Sequence, residues 1–255
     1  MNEAEQYLHD LMKVFNELHY WGPGSPQQTK KAFDLLPEPP RRILEIGCGN
    51  GNATAVLAEL SDAKIIALDH DQAALDRLMA MLSTKQLSKN VDTICQDMSA
   101  LDFPNVFQND CQNAAFDLIW IETSIYIIGV EQALNRWRHF LSEQGMLVFN
   151  DLVWLTSTPH IEAKQYWLDA YPDMVSVATR ISQINAAGFR VVDQFQLDKT
   201  AWQNYYTPLK ARLIELSDEL SHSKVLNDIN REIEIYETYL GEFGYQFFIL
   251  QKISA

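Results

Sequence analysis

Three observations on this sequence predict a doubly wound α/β fold. Short apolar runs recur along the chain, and segments with helical spacing separate them. The runs are apolar almost throughout rather than alternating, as in parallel strands covered by helices on both faces. The first run, Arg42-Ile43-Leu44-Glu45-Ile46, breaks into Gly47-Cys48-Gly49-Asn50-Gly51 and continues as a helix. Glycines at a strand-to-helix junction allow a tight turn and close approach of a ligand to the main chain.

Taken in order, residues 3–20 place Leu8, Leu11, Met12, Phe15 and Leu18 on one helical face. The stiff turn Trp21-Gly22-Pro23-Gly24-Ser25-Pro26 follows, then a short helix from Gln27 to Leu36, stopped by Pro37, Pro39 and Pro40. Strands are predicted at Ile43–Ile46, Lys64–Asp69, Val91–Cys95, Phe116–Ile121, Met146–Asn150, Phe189–Leu197 and Tyr245–Leu250. Helices are predicted at Asn52–Leu60, Gln72–Leu87, Glu131–Leu141 and Met174–Ala187. The expected sheet has seven mostly parallel strands. Its last strand should run antiparallel beside Phe189–Leu197 at a sheet edge, because both are reached from one end of the sheet.

Two insertions, at about 154–173 and 199–241, leave from the carboxyl ends of strands, where ligands sit in open α/β sheets. The second reads as two amphipathic helices, one with Leu209, Leu213, Leu216 and Leu220, the other with Ile229, Ile233, Tyr236 and Leu240. Residues 1–40 are therefore expected as N-terminal helices that share in a helical lid, and 41–255 as the core that carries both insertions.

The formal net charge of −14 offers no long-range attraction to nucleic-acid phosphates or an anionic membrane. Lys30-Lys31 and Arg41-Arg42 are too small to change this. Cys48, Cys95 and Cys111 form no CxxC pair and are expected as reduced thiols. The acidic start Met1-Asn2-Glu3-Ala4-Glu5 lacks the pattern of a signal peptide, and no apolar run nears the roughly 20 residues of a membrane span. A cytoplasmic location is expected, and a homo-oligomer is compatible with the sequence. Neither HExxH nor clustered His ligands occur, so no metal is expected.

The second strand ends at Asp69, 22 residues after Gly47, where a carboxylate can accept hydrogen bonds from ribose hydroxyls. Asp69 and Asp71 could equally cap the next helix. The third strand ends in Cys95-Gln96-Asp97-Met98, and the fourth in Glu122 after Phe116-Asp117-Leu118-Ile119-Trp120-Ile121. Asp117, at the strand's start, is expected to be structural.

With Glu45 two positions before the first of three alternating glycines, the chain from about Arg41 to Asn150 resembles the class I S-adenosylmethionine (SAM)-dependent methyltransferases. More narrowly it looks like a bacterial group of small-molecule methyltransferases with no assigned substrate. Gly22-Pro23-Gly24-Ser25, Glu122 with Ile125-Tyr126 and Gly129, Tyr171-Pro172, Ala201-Trp202 and Tyr205-Tyr206 carry that likeness. That group has Gly and Ala where this chain has Thr123 and Ser124. The resemblance implies the Rossmann-like class I methyltransferase fold, with SAM as cofactor and S-adenosylhomocysteine as product.

It implies that Glu45, Gly47, Cys48, Gly49, Asn50 and Gly51 meet the methionine portion, with Cys48 as a small spacer. Asp69 and His70 would lie at the ribose, Asp97 and Met98 at the adenine, and Glu122 beside the methionine portion. Residues 20–28 would form a gate, in which Trp21, Gly22, Gly24, Ser25 and Gln28 reach the cofactor through groups of no net charge. Tyr126, Tyr205 and Tyr206, expected in loops or helix starts, would face the acceptor. Tyr166, Trp167 and Trp202 read as packing. Glu122 and Asp151 are candidate general bases by position, and His160 a weaker one. The expected activity is methyl transfer to a small-molecule acceptor. The rivals are an NAD-dependent oxidoreductase, for which Asn52 replaces the needed third glycine, and a non-catalytic SAM-binding regulatory protein.

Overall fold

The computed structural model describes residues 2–101 and 115–253; Cys111 lies outside them. One seven-stranded sheet organises the chain, in the order β3-β2-β1-β4-β5-β7-β6. Its strands are β1 (Arg42–Ile46), β2 (Lys64–Asp69), β3 (Val91–Cys95), β4 (Phe116–Ile121), β5 (Leu141–Trp154), β6 (Phe189–Gln196) and β7 (Phe243–Lys252). The first five pair in parallel, and β7 runs antiparallel to both β5 and β6.

The antiparallel last strand lies beside β6 at a sheet edge, as expected: β7 runs between β5 and β6, and β6 is outermost. Composition explains the order. Phe247, Phe248, Ile249 and Leu250 are fully buried and need cover on both faces. In β6, by contrast, Arg190, Val192 and Asp193 are exposed, which a strand with one free side tolerates. Strand β5 also runs beyond the expected Met146–Asn150, because β7 pairs with it from Met146 to Trp154.

Alternate strand residues feed two cores. On one face Ile43, Ile65, Leu118, Val148 and Ile249 pack under helices α2 (Pro26–Asp34), α3 (Asn52–Leu60) and α4 (Gln72–Thr84). On the other, Leu44, Ile66, Ile119, Leu147 and Phe248 pack under α5 (Val130–Trp137) and α7 (Val177–Ala186). A third apolar cluster lies over the carboxyl ends of the strands. It joins α1 (Glu3–Phe15), α6 (Ile161–Ala170), α8 (Lys199–Glu215) and α9 (Lys224–Tyr239).

Helix starts follow from their caps: Ser25 before Pro26, Asp71, Ser176, Asp198 and Ser223 each accept a backbone N–H of their own helix. The packed stripe of α1 is Tyr7, Leu11, Val14 and Phe15, continued by Leu18 beyond the helix end. It is rotated from the expected face, so that Leu8 is 58% exposed. No described helix is long and apolar enough to cross a membrane.

Candidate functional site

A cavity of about 500 Å³ opens at the carboxyl ends of β1, β2, β4 and β5, within the range of small-molecule sites. The β1–α3 turn forms its floor. Gly47 and Cys48 donate their N–H groups to the Leu68 carbonyl, at 2.8 and 3.0 Å, which folds the turn against β2. Gly47 has φ +73°, and a Cβ there would lie 2.4 Å from Ser124 Oγ. Gly49 has open space where a Cβ would point, so a ligand can approach its backbone. Gly51 serves a different purpose from the one expected. It is not on the cavity wall, and its missing Cβ makes room for Leu78 of α4.

Asp69 ends β2 with both oxygens engaged by backbone: Oδ2 accepts Gly49 N–H at 2.8 Å and Oδ1 accepts Asp71 N–H at 3.0 Å. Each oxygen keeps a lone pair for a hydroxyl donor. The exposed His70 lies beside it, with Nδ1 3.2 Å from Asp69 Oδ1. Met98 lines the cavity, whereas Asp97 does not. Its Oδ1 accepts Ser99 N–H at 2.7 Å and caps a short turn, and the side chain is exposed.

The carboxylates beneath the roof are electrostatically distinct. Glu45 is 2% exposed, its Oε2 has no hydrogen-bond partner, and burial pushes its carboxyl up to about 8. Glu122 accepts the Trp120 indole N–H at 2.8 Å; burial pushes it up to about 7 against that bond. Asp151 accepts from Arg180 Nε and from the Tyr171 hydroxyl, each at 2.8 Å. Burial raises it to about 6, opposed by the Arg180 charge. Arg180 is fully buried and is also held by Asp173 and Gln183. Asp151 therefore sits on the wall as one half of a structural ion pair. Asn150 Oδ1 accepts Thr123 N–H at 2.6 Å, while its Nδ2 is buried and unpartnered. Asp117, as expected, is structural and accepts the N–H groups of Arg41 and Arg42.

The roof is aromatic. Trp202, Tyr205 and Tyr206 come from the first half of α8, Tyr126 from the turn after β4, and Tyr20 and Trp21 from the N-terminal segment. Tyr166 and Trp167 of α6 pack, as expected, but also line the cavity. Residues 18–24 are tied down on two sides. Asn50 and Asn52 side-chain amides donate to the Leu18 and His19 carbonyls. Gly24 N–H donates to the Ala201 carbonyl at 3.1 Å, and Asn204 donates to the Gly24 carbonyl. Gly22 and Gly24 line the cavity. Ser25 and Gln28 do not: Ser25 caps α2, and Gln28 donates to Asp198, the cap of α8. His160 caps α6 and stacks on Tyr239, away from the cavity.

Glu232 also lines the cavity and was not anticipated. The signal was present, since a carboxylate lies between Ile229 and Tyr236 on the apolar stripe of α9. Thr123, Ser124, Tyr171 and Tyr245 line it as well.

A glycine turn, a strand-end carboxylate and a cavity over the carboxyl ends of a doubly wound sheet define a nucleoside-cofactor protein of the Rossmann-like class. A sequence profile describing a methyltransferase domain matches residues 43–145. The O-methyltransferase cnsE of Penicillium expansum is 24% identical over 204 residues, 75% of this chain and 71% of that protein. The malonyl-[acyl-carrier protein] O-methyltransferase of Bacillus anthracis is 32% identical over 132 residues, 48% of this chain. The chain spans 45% of that relative. Among solved structures, a SAM-dependent methyltransferase from Geobacter sulfurreducens in complex with S-adenosyl-L-homocysteine superposes with TM-score 0.78 at 15% identity. The match covers 96% of this chain and 98% of that one. The [4+2]-cyclase SpnF superposes with TM-score 0.73 at 17% identity, covering 99% and 95%. These two likenesses show the fold. Residues 43–145 thus match a methyltransferase domain, and the whole chain has the fold of SAM-dependent methyltransferases.

Proposed function

We propose that this protein transfers a methyl group from SAM to a small molecule held between the glycine turn and the aromatic roof. The single observation that carries this reading is the continuity of the cavity. One space runs from Gly47, Gly49, Asp69 and Met98 to Tyr126, Tyr166, Tyr205 and Tyr206.

The residues present suit the cofactor. Gly49 leaves its backbone open, Asp69 retains acceptor capacity for ribose hydroxyls, and Glu45 Oε2 is a buried acceptor without a donor, suited to an ammonium group. SAM, when bound, supplies a methyl group already activated by its sulfonium. The chain's own part is to align the acceptor, exclude water and, at Glu122, hold a carboxylate near neutrality that can take a proton. Residues 20–24, α6, α8 and α9 act as the lid. The net charge of −14 and the enclosed site favour a small molecule over a nucleic acid, and the free Cys48 and Cys95 suit a cytoplasmic location. Named relatives include O-methyltransferases and a cypemycin N-terminal methyltransferase, so the domain match leaves the acceptor atom open.

Calorimetric titration with S-adenosylhomocysteine tests this reading. Asp69→Ala should weaken binding at least about tenfold, since charge-assisted hydrogen bonds contribute roughly 1.5–3 kcal/mol. Equal affinity in that variant would overturn the ribose assignment, and preferential binding of NAD would overturn the cofactor-site assignment.

A further inference from the structure

The charges on the cavity wall are one-sided. Among the described residues that line it, none is Lys or Arg, while Glu45, Asp69, Glu122, Asp151 and Glu232 supply carboxylates. Only Asp151 has an arginine partner. Glu45, Asp69 and Glu122 stand at the strand ends, on the glycine-turn side. Glu232 stands apart, on α9 in the roof, with no ion pair among the described residues.

Glu232 Oε1 accepts the Tyr206 hydroxyl at 2.8 Å. Around it, Tyr126, Tyr166, Tyr205, Tyr206 and Tyr245 line the same cavity, with Tyr205 and Tyr206 ring centroids 4.7 Å apart. Burial raises all five phenols, and the Glu232 carboxylate adds to each shift. Burial pushes Glu232 itself up, opposed by the Tyr206 and Tyr205 hydroxyls. Tyr206 would need only an acceptor, which a glutamine or a carbonyl could supply. A carboxyl group buried among aromatic faces is instead the chemistry that recognises an ammonium group, whose charge would hold it ionised, through a charge-assisted bond and cation–π attraction. An anionic molecule in this chamber would meet Glu232 with no cation to offset it.

We propose that the methyl acceptor is a small molecule that carries an amine and docks as its ammonium cation, with Glu232 as the anchor and the roof tyrosines as its cage; where that nitrogen itself takes the methyl group, it first gives its proton to the Glu232 carboxylate. This rests on the methyltransferase reading given above and specifies its substrate class.

The test uses the full chain saturated with S-adenosylhomocysteine and matched probes titrated by calorimetry. These are tyramine against 3-(4-hydroxyphenyl)propionate, and butylamine against pentanoate. The amines should bind at least about tenfold more tightly than their carboxylate counterparts, the scale of one charge-assisted hydrogen bond. Glu232→Gln should abolish that preference while S-adenosylhomocysteine affinity and thermal midpoint stay unchanged. Tyr126→Leu, at a side chain that is half exposed, should weaken the amines and spare the fold. Carboxylates binding as well as amines, no amine binding at all, or an undiminished preference in Glu232→Gln would overturn the proposal. Failure of S-adenosylhomocysteine to bind would count against the methyltransferase reading instead, with the amine preference still measurable on the free protein.

Discussion

Asn52 Nδ2 lies 2.7 Å from the His19 carbonyl oxygen, so the first turn of α3 grips the segment that roofs the cavity. Position 52 is where a dinucleotide fingerprint would carry its third glycine. Here Gly51 already gives α4 its clearance, and Asn52 is free to act as a tether. Asn52→Ala should remove roughly 0.5–1.5 kcal/mol, or about two- to tenfold in S-adenosylhomocysteine affinity if the segment acts as a gate. Hydrogen exchange should accelerate at residues 18–24, and unchanged exchange there would show that the tether is redundant.

Glu45 makes a prediction in pH. Its carboxyl is raised from an ordinary value of 4.5 to about 8, chiefly by burial. The folded state therefore holds its proton between these values while the unfolded chain has lost it. Stability from this group is greatest below about 4.5 and falls as pH rises to about 8. Glu45→Gln should raise the thermal midpoint more at pH 8 than at pH 5, measured without cofactor. An equal effect at both would mean that Glu45 is ionised throughout.

Gly47 cannot carry a side chain without moving Ser124. Gly47→Ala would put Cβ 2.4 Å from Ser124 Oγ and 2.7 Å from its Cβ, at a left-handed φ. A loss of about 2 kcal/mol or more in denaturant unfolding is expected. Pairing it with Ser124→Gly should return the packing part of that loss but not the backbone part.

Asp151 should behave as an anchor rather than a base. Asp151→Asn leaves the fully buried Arg180 with only the part-exposed Asp173 carboxylate, 3.3 Å away, and breaking a buried pair costs up to about 3–5 kcal/mol. The expected readout is a large fall in thermal midpoint, with S-adenosylhomocysteine affinity largely kept in the fraction that folds. A stable variant that had lost only turnover would return Asp151 to the chemistry.

The sheet was legible because its information is local. Ile43–Ile46 and Phe116–Ile121 are apolar runs that no solvent-facing element would carry, and Gly47, Gly49 and Gly51 mark one turn. Carboxylates at strand ends could be read by counting from those glycines. What local patterns do not contain is which charges a fold sets against each other. Asp97 and Asp69 look alike as strand-end acids that accept backbone N–H groups, yet only Asp69 lies on the cavity wall. Asp151 reads as a base until Arg180, 29 residues on, closes against it. Glu232 was hidden in plain amphipathic periodicity, because only the docking of α9 over the sheet turns its helix face into a cavity wall. Thr123 was visible as a departure from glycine, and its φ of +54° explains what the glycine would be for.

The hydrogen bonds that join Gly24 to Ala201 and Asn204 have a consequence for how the molecule is made. The Asn204 bond closes a loop of 180 positions, and Lys13 reaches Glu219 across a similar span. During synthesis the helix α1 and its following turn emerge before the surface that receives them exists. They must wait, with Leu11, Val14 and Phe15 uncovered, until α8 and α9 have left the ribosome. The strands β1 to β5 can pair meanwhile, since each finds its neighbour in chain already made. A stretch translated before the strands is thus among the last to settle, and assembling the chamber becomes the closing act of folding.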